Sequence, residues 1–145
     1  MKNMKIAIGS DHAGFELKDK VVDWLATSKA EFKDFGTLSE ESVDYPDFAH
    51  TVAGEVEKGN YEMGILICGS GIGVDMTANK HKGIRSALCW NKEISKLAKT
   101  HNNANIICLP GRFITFREAK EILNTFFNTD FEGGRHNRRI NKISC

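Results

Sequence analysis

Short apolar runs alternate along the chain with longer segments in which apolar residues recur every three or four positions. This alternation is typical of an α/β fold, in which crossover helices join parallel strands. The runs predict five strands, at residues 5–9, 31–35, 63–67, 85–88 and 106–109. The first and third runs have so few polar residues that we expect both strands to be buried on both faces.

The segments between these runs predict the helices. Each helix is marked by apolar residues at helical spacing: Leu17, Val21, Trp24 and Leu25 in the first, Ala49, Val52, Ala53 and Val56 in the second, residues 74–80 in the third, Ile94, Leu97, Ala98 and His101 in the fourth, and Phe116, Ala119, Ile122, Leu123, Phe126 and Phe127 in the fifth. Gly133 and Gly134 then interrupt the chain before a short basic helix that is available for a subunit contact.

Together these elements predict one domain over residues 1–145, with a Rossmann-like, doubly wound five-stranded parallel sheet in the flavodoxin-like order 2-1-3-4-5. In such folds a ligand binds at the carboxyl ends of the strands, where the strand order reverses. Here that point lies between the first and third strands. The segments that follow them, residues 10–12 and 68–73, are therefore expected to face each other.

Charge and composition narrow the function classes. The chain has 20 basic and 19 acidic side chains among 145 residues, so it lacks the overall positive field that nucleic-acid or membrane-surface binding would need. The apolar run at residues 6–8 is too short for a signal peptide or a membrane span. Four cysteines without CxxC spacing suggest reduced thiols. We therefore expect a cytoplasmic protein with neither a nucleic-acid nor a membrane partner.

The glycine-rich segment Cys68, Gly69, Ser70, Gly71, Ile72 and Gly73 follows a predicted strand and opens a helix. Its backbone N–H groups can approach a ligand at the positive end of the helix dipole, which suits an anion or an oxyanion. Val74 stands where a dinucleotide-binding motif has its third glycine, and no Walker A motif is present, so nucleotide binding is disfavoured. The alternative is a tight strand-to-helix turn that binds nothing.

Cys68 lies at the start of that helix, a position that favours the thiolate form and so a base or a nucleophile. The alternative is a buried, inert cysteine. Cys89 and Cys108 fall within or at the ends of strands and are interpreted as structural. Cys145, the last residue, is interpreted as a surface thiol.

Histidines and arginines supply the remaining candidates. His101 ends its helix, where the dipole favours an imidazolium that could act as a general acid, although a structural histidine is an equal alternative. Asp11 and His12 lie at the switch point. Arg135 and Arg139, four residues apart on one helical face, could clamp a phosphate, or could belong to a solvated tail.

Arg112 follows the fifth strand and adds a further cation, or else it is a surface loop residue. No group of His, Cys or acidic residues has metal-ligand spacing, so neither a metal nor another cofactor is expected. The residues by themselves predict a site for a small anionic ligand and leave the reaction class open.

Eight ordered motifs then connect the chain to a known family: GSDHAG (9–14), DFGT (34–37), DYP (44–46), ICGSGIG (67–73), ANK (78–80), GIR (83–85), HNNAN (101–105) and EGGRH (132–136). With these motifs the chain resembles the ribose-5-phosphate isomerase B and galactose-6-phosphate isomerase group nearly from end to end. The resemblance implies an aldose–ketose isomerase of the pentose phosphate pathway that acts on ribose 5-phosphate and ribulose 5-phosphate.

The resemblance also implies the catalytic roles. Cys68 would be the base that moves a proton between C1 and C2 through a cis-enediolate, whose oxygens the amides of Gly69 to Gly73 would hold. Ser70 stands where many members have Thr, and its hydroxyl would still serve. His101 would protonate the furanose oxygen and so open the sugar ring. Some members use a nearby Glu as the base, but here Val74 occupies that position, which favours Cys68.

The remaining roles concern substrate binding and assembly. The family's substrate-binding positions fall here on Asp11, His12, Tyr45, Gly69, Ser70, Gly71, Ile72, Gly73, Asn102, Arg112, Arg135 and Arg139. Among these, His12 and the three arginines would contact the phosphate. The family works as dimers or tetramers with the site shared between subunits. The resemblance therefore implies a homo-oligomer in which His101, Asn102 and the arginines reach the Cys68 pocket of the partner chain.

Three alternatives stay open at the level of sequence. An isomerase of allose 6-phosphate or galactose 6-phosphate could use the same site. The galactose-specific subunits tend to lose either the cysteine loop or the histidine and arginine motifs, whereas this chain has both. A binding module without catalysis would need no thiol in the loop, and a thiol redox protein would need a second cysteine close to Cys68 in sequence.

Overall fold

Residues 3–145 are described by a computed structural model, in which five parallel strands form one sheet. Residues 1 and 2, which the predicted domain includes, lie outside the described residues. In chain order the elements are β1 (Lys5–Ser10), α1 (Phe15–Ala26), β2 (Glu31–Asp34), α2 (Tyr45–Glu57), β3 (Met63–Cys68), α3 (Ile72–Ala78), β4 (Ser86–Leu88), α4 (Lys92–Thr100), β5 (Ile106–Pro110), α5 (Phe116–Phe127) and α6 (Arg135–Ile140). No helix within residues 3–145 has the length and apolar character needed to cross a membrane.

The parallel α/β class is confirmed, but the predicted position of the last two strands is wrong. The observed order is β2-β1-β3-β5-β4, so β5 pairs with β3 and β4 forms the edge. Every residue of β5 is buried, which suits a central strand, whereas β4 has three residues, each only partly buried. This order brings the loop after β5 directly beside the end of β3.

Alternate side chains of the central strands build two separate cores. On one face, β1, β3 and β5 pack against α1, α4 and α5 through residues such as Ile8, Ile65 and Ile107. On the other face, the intervening residues pack against α2 and α3, and this second core includes Cys68 and Cys108. Successive side chains of a strand point to opposite faces of the sheet. A strand that contributes to both cores is therefore apolar at nearly every position.

The predicted apolar stripe of α4 is also partly wrong. Leu97 is 43% exposed, and the buried residues of this helix are Ser95, Ala98 and Lys99. The polar members have buried partners, because the Ser95 hydroxyl donates to the Ile122 carbonyl at 2.8 Å and the Lys99 ammonium donates to the Ala104 carbonyl at 3.2 Å. Hydrogen bonds therefore offset the cost of burying these side chains.

Close backbone packing fixes the loops at the carboxyl edge of the sheet. Gly14, which caps α1, lies against the end of β3, so a Cβ added there would sit 2.6 Å from the carbonyl carbon of Ile67. Gly111, after β5, lies against the same strand end, and a Cβ added there would approach the Cα of Gly14 to 3.4 Å. The loops after β1 and β5 thus meet over the end of β3.

This packing predicts that Gly14→Ala lowers the free energy of unfolding by about 1–3 kcal/mol, because the added methyl group meets rigid backbone. Gly54→Ala is the matched control, since no atom lies within 4 Å of its added Cβ in α2. There the substitution should stabilise by about 0.5–1 kcal/mol through helix propensity. Urea unfolding of both variants measures the difference, and equal stabilities would contradict the proposed close packing.

Candidate active site

A pocket of about 380 Å³ opens at the carboxyl ends of β1 and β3. Its lining contains eight of the predicted site residues: Asp11, His12, Tyr45, Cys68, Gly69, Ser70, Gly73 and Arg112. Ala13 and Phe113 also line it and were not predicted; the position of Phe113 next to Arg112, after β5, is the sequence signal that could have found it. A larger cavity of about 650 Å³ shares His12, Ala13 and Arg112 with this pocket but has no cysteine among its lining residues.

Cys68 is the last residue of β3, and its thiol lies at the base of the pocket with the residue only 4% exposed. The Gly71 N–H donates to its Sγ at 3.2 Å. Gly71 has φ +74° and closes the turn into α3; a Cβ there would meet the Leu88 side chain at 2.5 Å, so the turn requires glycine. A donor aimed at sulfur stabilises negative charge on it, which suits a thiolate base.

Two predicted contacts, Gly71 and Ile72, do not line the pocket. The Gly71 N–H is directed at Cys68, and the Ile72 N–H donates to the Ser70 hydroxyl at 3.2 Å. These two amides orient the Cys68 thiol and the Ser70 hydroxyl. The Gly73 backbone instead packs on the ring of Tyr45, since an added Cβ would approach that ring to 2.6 Å.

Asp11 and His12 are held by the backbone around them. The buried Asp11 carboxylate accepts the Gly14 N–H at 2.9 Å. The Nδ1 of His12 accepts the Val43 N–H at 3.1 Å, so the neutral ring carries its proton on Nε2 and offers a donor there.

An ion pair that the sequence did not reveal holds the end of β2 against the end of β1, next to Asp11. Lys18, only 1% exposed, pairs with Asp34, whose second oxygen accepts the Gly36 N–H at 2.8 Å. The carbonyl of Gly36 then accepts the Ser10 N–H at 2.7 Å. A lysine on a helix is ordinarily solvated, so no sequence signal distinguished Lys18 from its neighbours.

Arg112 is fixed beside the thiol by two backbone hydrogen bonds. The Gly111 N–H donates to the Cys68 carbonyl at 2.8 Å, and the Arg112 N–H donates to the Gly69 carbonyl at 3.0 Å. These bonds follow from the pairing of β5 with β3, in which Pro110 lies opposite Cys68. They place a permanent cation at the rim of a pocket whose base is a potential thiolate.

The other predicted residues form a second group near the amino ends of the strands, opposite the pocket. His101 caps the carboxyl end of α4, and the chain enters β5 at Ile106 soon afterwards. The side chain of Arg85, just before β4, donates to the backbone carbonyls of Asn102 and Asn103 at 2.9 Å. Because Cys68 lies at the far end of the parallel strands, about 15–20 Å of strand separates the two groups. His101 therefore does not meet Cys68 within one chain.

The second group includes Arg135 and Arg139, both exposed on α6. The buried residue of that helix, His136, stacks on His101 with ring centroids 4.3 Å apart and planes inclined by 17°. His101, Asn102, Arg135 and Arg139 are thus neighbours of one another and not of the pocket. The family resemblance implied that these residues reach the pocket of a partner chain, and their distance from the pocket of their own chain is compatible with that prediction.

Side-chain ligand atoms of His101, Glu132 and His136 lie within 4.8 Å of one another, the one group of three potential metal ligands found in residues 3–145. Spacing along the sequence gave no sign of it. The two rings stack nearly parallel, so their nitrogen lone pairs run side by side and do not converge on one point as tetrahedral zinc would require. As arranged, these residues fit a stacked pair better than a metal centre.

The four cysteines are free thiols in very different surroundings. Burial raises the pKa of Cys89 to about 12, and burial together with the nearby Asp75 carboxylate raises the pKa of Cys108 well above its usual value. Burial likewise raises the pKa of the Asp75 carboxyl, although the Ser86 hydroxyl that donates to it at 2.7 Å acts in the opposite direction. Cys89 and Cys108 are therefore protonated and unreactive near neutral pH.

Residues 6–143 match the model of the Ribose/Galactose Isomerase family. The chain belongs to this family. It is 40% identical to ribose-5-phosphate isomerase B of Escherichia coli over 97% of this chain and 95% of that protein. Among solved structures, a ribose 5-phosphate isomerase of Thermotoga maritima superimposes with a TM-score of 0.96 at 52% identity and covers 97% of each chain.

Ribose-5-phosphate isomerase B of Mycoplasma genitalium with bound ribulose-5-phosphate is a further structural neighbour in the Ribose/Galactose Isomerase family. It superimposes with a TM-score of 0.93 at 44% identity, over 99% of this chain and 95% of that one. The similarity extends over the whole described fold, so both edges of the sheet are shared with these enzymes.

Thiol labelling tests the described surroundings of the cysteines. In the native Cys145→Ser variant, iodoacetamide at neutral pH should alkylate Cys68, which borders the pocket, and leave Cys89 and Cys108 unmodified because they are buried and protonated. Peptide mass spectrometry identifies the modified residue. Alkylation of Cys108 at a rate similar to that of Cys68 would contradict the difference in environment.

Proposed function

We propose that this protein is an aldose–ketose isomerase that interconverts ribose 5-phosphate and ribulose 5-phosphate, with Cys68 as the base. The observation that carries the proposal is the Cys68 thiol in the lining of a pocket that also contains Asp11, Ser70 and Arg112, with the Gly71 N–H directed at its sulfur. Relatives that share this fold along nearly the whole chain are named for the same reaction.

The chemistry requires one proton to move between adjacent carbons. The Cys68 thiolate removes the proton from C2 of the open-chain aldose, and the electrons flow into the carbonyl to give a cis-enediolate. The hydroxyl proton passes from the oxygen on C2 to the oxygen on C1, and the same thiol returns the carbon-bound proton to C1. The ketone then stands at C2, and no net oxidation occurs. Donors that hold the enediolate oxygens lower the barrier, and the Ser70 hydroxyl and the amides beside it lie next to the thiol.

The rest of the pocket suits a sugar phosphate. The Asp11 carboxylate and the Tyr45 hydroxyl are placed to bind sugar hydroxyls, and the Nε2 donor of His12 and the guanidinium of Arg112 are placed to bind phosphate. Asp11 keeps acceptor capacity for a hydroxyl, because only one of its oxygens has a hydrogen bond to the backbone.

The proposed active site is completed by a second copy of the chain. His101, which opens the sugar ring, lies with Asn102, Arg135 and Arg139 at the edge of the sheet opposite Cys68. In a homo-oligomer the second group of one subunit can face the pocket of another, so that one subunit supplies the base and the other supplies the acid and the phosphate clamp. We further infer a cytoplasmic enzyme, because the Cys68 base needs a reducing compartment.

Galactose 6-phosphate and allose 6-phosphate are the alternative substrates, and the named relatives favour ribose 5-phosphate over both. Turnover on the three sugar phosphates at equal concentration separates the possibilities. The same measurement tests a binding module without catalysis, which would turn over none of them.

Replacing the base gives the first test of function. Cys68→Ala should lower the conversion of ribose 5-phosphate to ribulose 5-phosphate by at least about 10²–10⁴-fold, because the variant lacks the proposed base. Assays with EDTA present throughout keep metal ions out of the comparison. Substrate binding by calorimetry should change little, and a variant with normal turnover would exclude Cys68 as the base.

Mixing two inactive variants tests the shared site. Cys68→Ala and His101→Ala should each be nearly inactive alone. After subunits exchange in a dimer, each mixed dimer contains one site with both residues intact, so the mixture should recover about a quarter of wild-type activity. Recovery is measured with the same ribose 5-phosphate assay, and a mixture that regains nothing after confirmed exchange would place both residues in one subunit's site.

A further inference from the structure

The basic helix α6 has one buried side chain, that of His136. His136 is 4% exposed, whereas Arg135, Asn137, Arg138 and Arg139 around it are exposed. Whatever fixes His136 therefore fixes the direction of the arginines on this helix. A solvated basic tail would have no buried side chain of this kind.

The contact that fixes His136 is the ring of His101. The two imidazoles stack with centroids 4.3 Å apart and a 17° angle between their planes. A second attachment lies one turn earlier, where the Glu132 N–H donates to the carbonyl of Thr100 at 3.1 Å. The segment that carries the arginines is thus joined at two points to the end of α4, where His101 lies.

The surroundings of His136 show that it contributes its ring and not a charge. Its Nε2 is buried and has no hydrogen-bond partner among residues 3–145. Burial, His101 and Arg135 lower the pKa of His136, with Arg139 acting the same way and Glu132 in opposition. A neutral ring at His136 therefore acts on His101 through stacking.

Resting on the isomerase function proposed above, we propose that His136 is a positioning residue: its ring holds the imidazole of His101 and sets the separation of that acid from Arg135 and Arg139. The ring-opening acid and the phosphate clamp then form one rigid unit, which meets the partner's pocket with fixed spacing. A furanose phosphate presents its ring oxygen and its phosphate at a fixed separation, so a rigid unit of this kind binds both ends at once.

The test separates ring opening from proton transfer. Ribose 5-phosphate exists mainly as a ring that must be opened, whereas ribulose 5-phosphate has no ring to open because its 5-hydroxyl is phosphorylated. Two rates are measured at saturating substrate: kcat from ribose 5-phosphate, and exchange of the C1 proton of ribulose 5-phosphate in D₂O by NMR. The variants are His136→Ala, His136→Phe and, as the matched control on the same helix, Asn137→Ala.

His136→Ala should lower kcat from ribose 5-phosphate by about tenfold to a hundredfold, because His101 loses the surface that orients it. C1 exchange should stay within about threefold of wild type, because it depends on Cys68 and needs no ring opening. His136→Phe should recover most of the lost kcat, since it keeps a flat ring to stack. Asn137→Ala should match wild type in both rates.

Three outcomes would overturn the proposal: an unchanged kcat in His136→Ala, an equal loss of both rates in that variant, or a Phe variant as defective as the Ala variant. An unchanged kcat would show that His136 has no role in positioning His101. An equal loss of both rates would show only a general role in folding or assembly. A defective Phe variant would show that stacking is not the property that matters. Each leaves the proposed function standing. A wild-type protein inactive in both assays would instead contradict that function.

Discussion

The site depends on how closely three backbone segments pack at the carboxyl edge of the sheet. Gly14 and Gly111 both lie against the end of β3, at distances that leave no room for a side chain on Gly14. The turn after β1 and the loop after β5 therefore meet over Cys68, which gives the thiol its neighbours Asp11 and Arg112. A pocket of about 380 Å³ with a cation, a carboxylate and a thiol follows from this single packing constraint.

The sequence predicted what depends on local pattern. Apolar runs of strand length identified all five strands, and the carboxyl-edge rule placed Asp11 beside Cys68. The order of β4 and β5 was missed because the common flavodoxin-like order was applied. Residues 106–109 are all apolar whereas residues 85–88 contain Arg and Ser, a contrast that suits a central β5 and an edge β4. Lys18 was missed for a similar reason: its burial depends on Asp34, a partner sixteen positions away.

The same topology explains why the proposed base and the proposed acid lie near opposite ends of the strands in one chain. A residue that ends a strand, such as Cys68, and a residue that ends the crossover helix running back, such as His101, lie at opposite edges of a parallel sheet. Their separation is a property of the fold, so no change of rotamer brings them together. A base and an acid fixed this way act on one substrate when copies of the chain associate, as we propose for this protein.

The position of a cysteine along a strand distinguishes the proposed base from a structural thiol here. Cys68 and Cys108 belong to the same core face, on neighbouring strands, but Cys108 lies one step inside the sheet, opposite Leu66. There burial and the Asp75 carboxylate hold its proton, and the Ser86 hydroxyl lies 3.1 Å from its sulfur. Cys68, at the strand end, instead has the Gly71 N–H and an open pocket. The strand end supplies what a proton-transferring thiol needs, namely a donor for its negative charge and access to the substrate, and an interior strand position supplies neither.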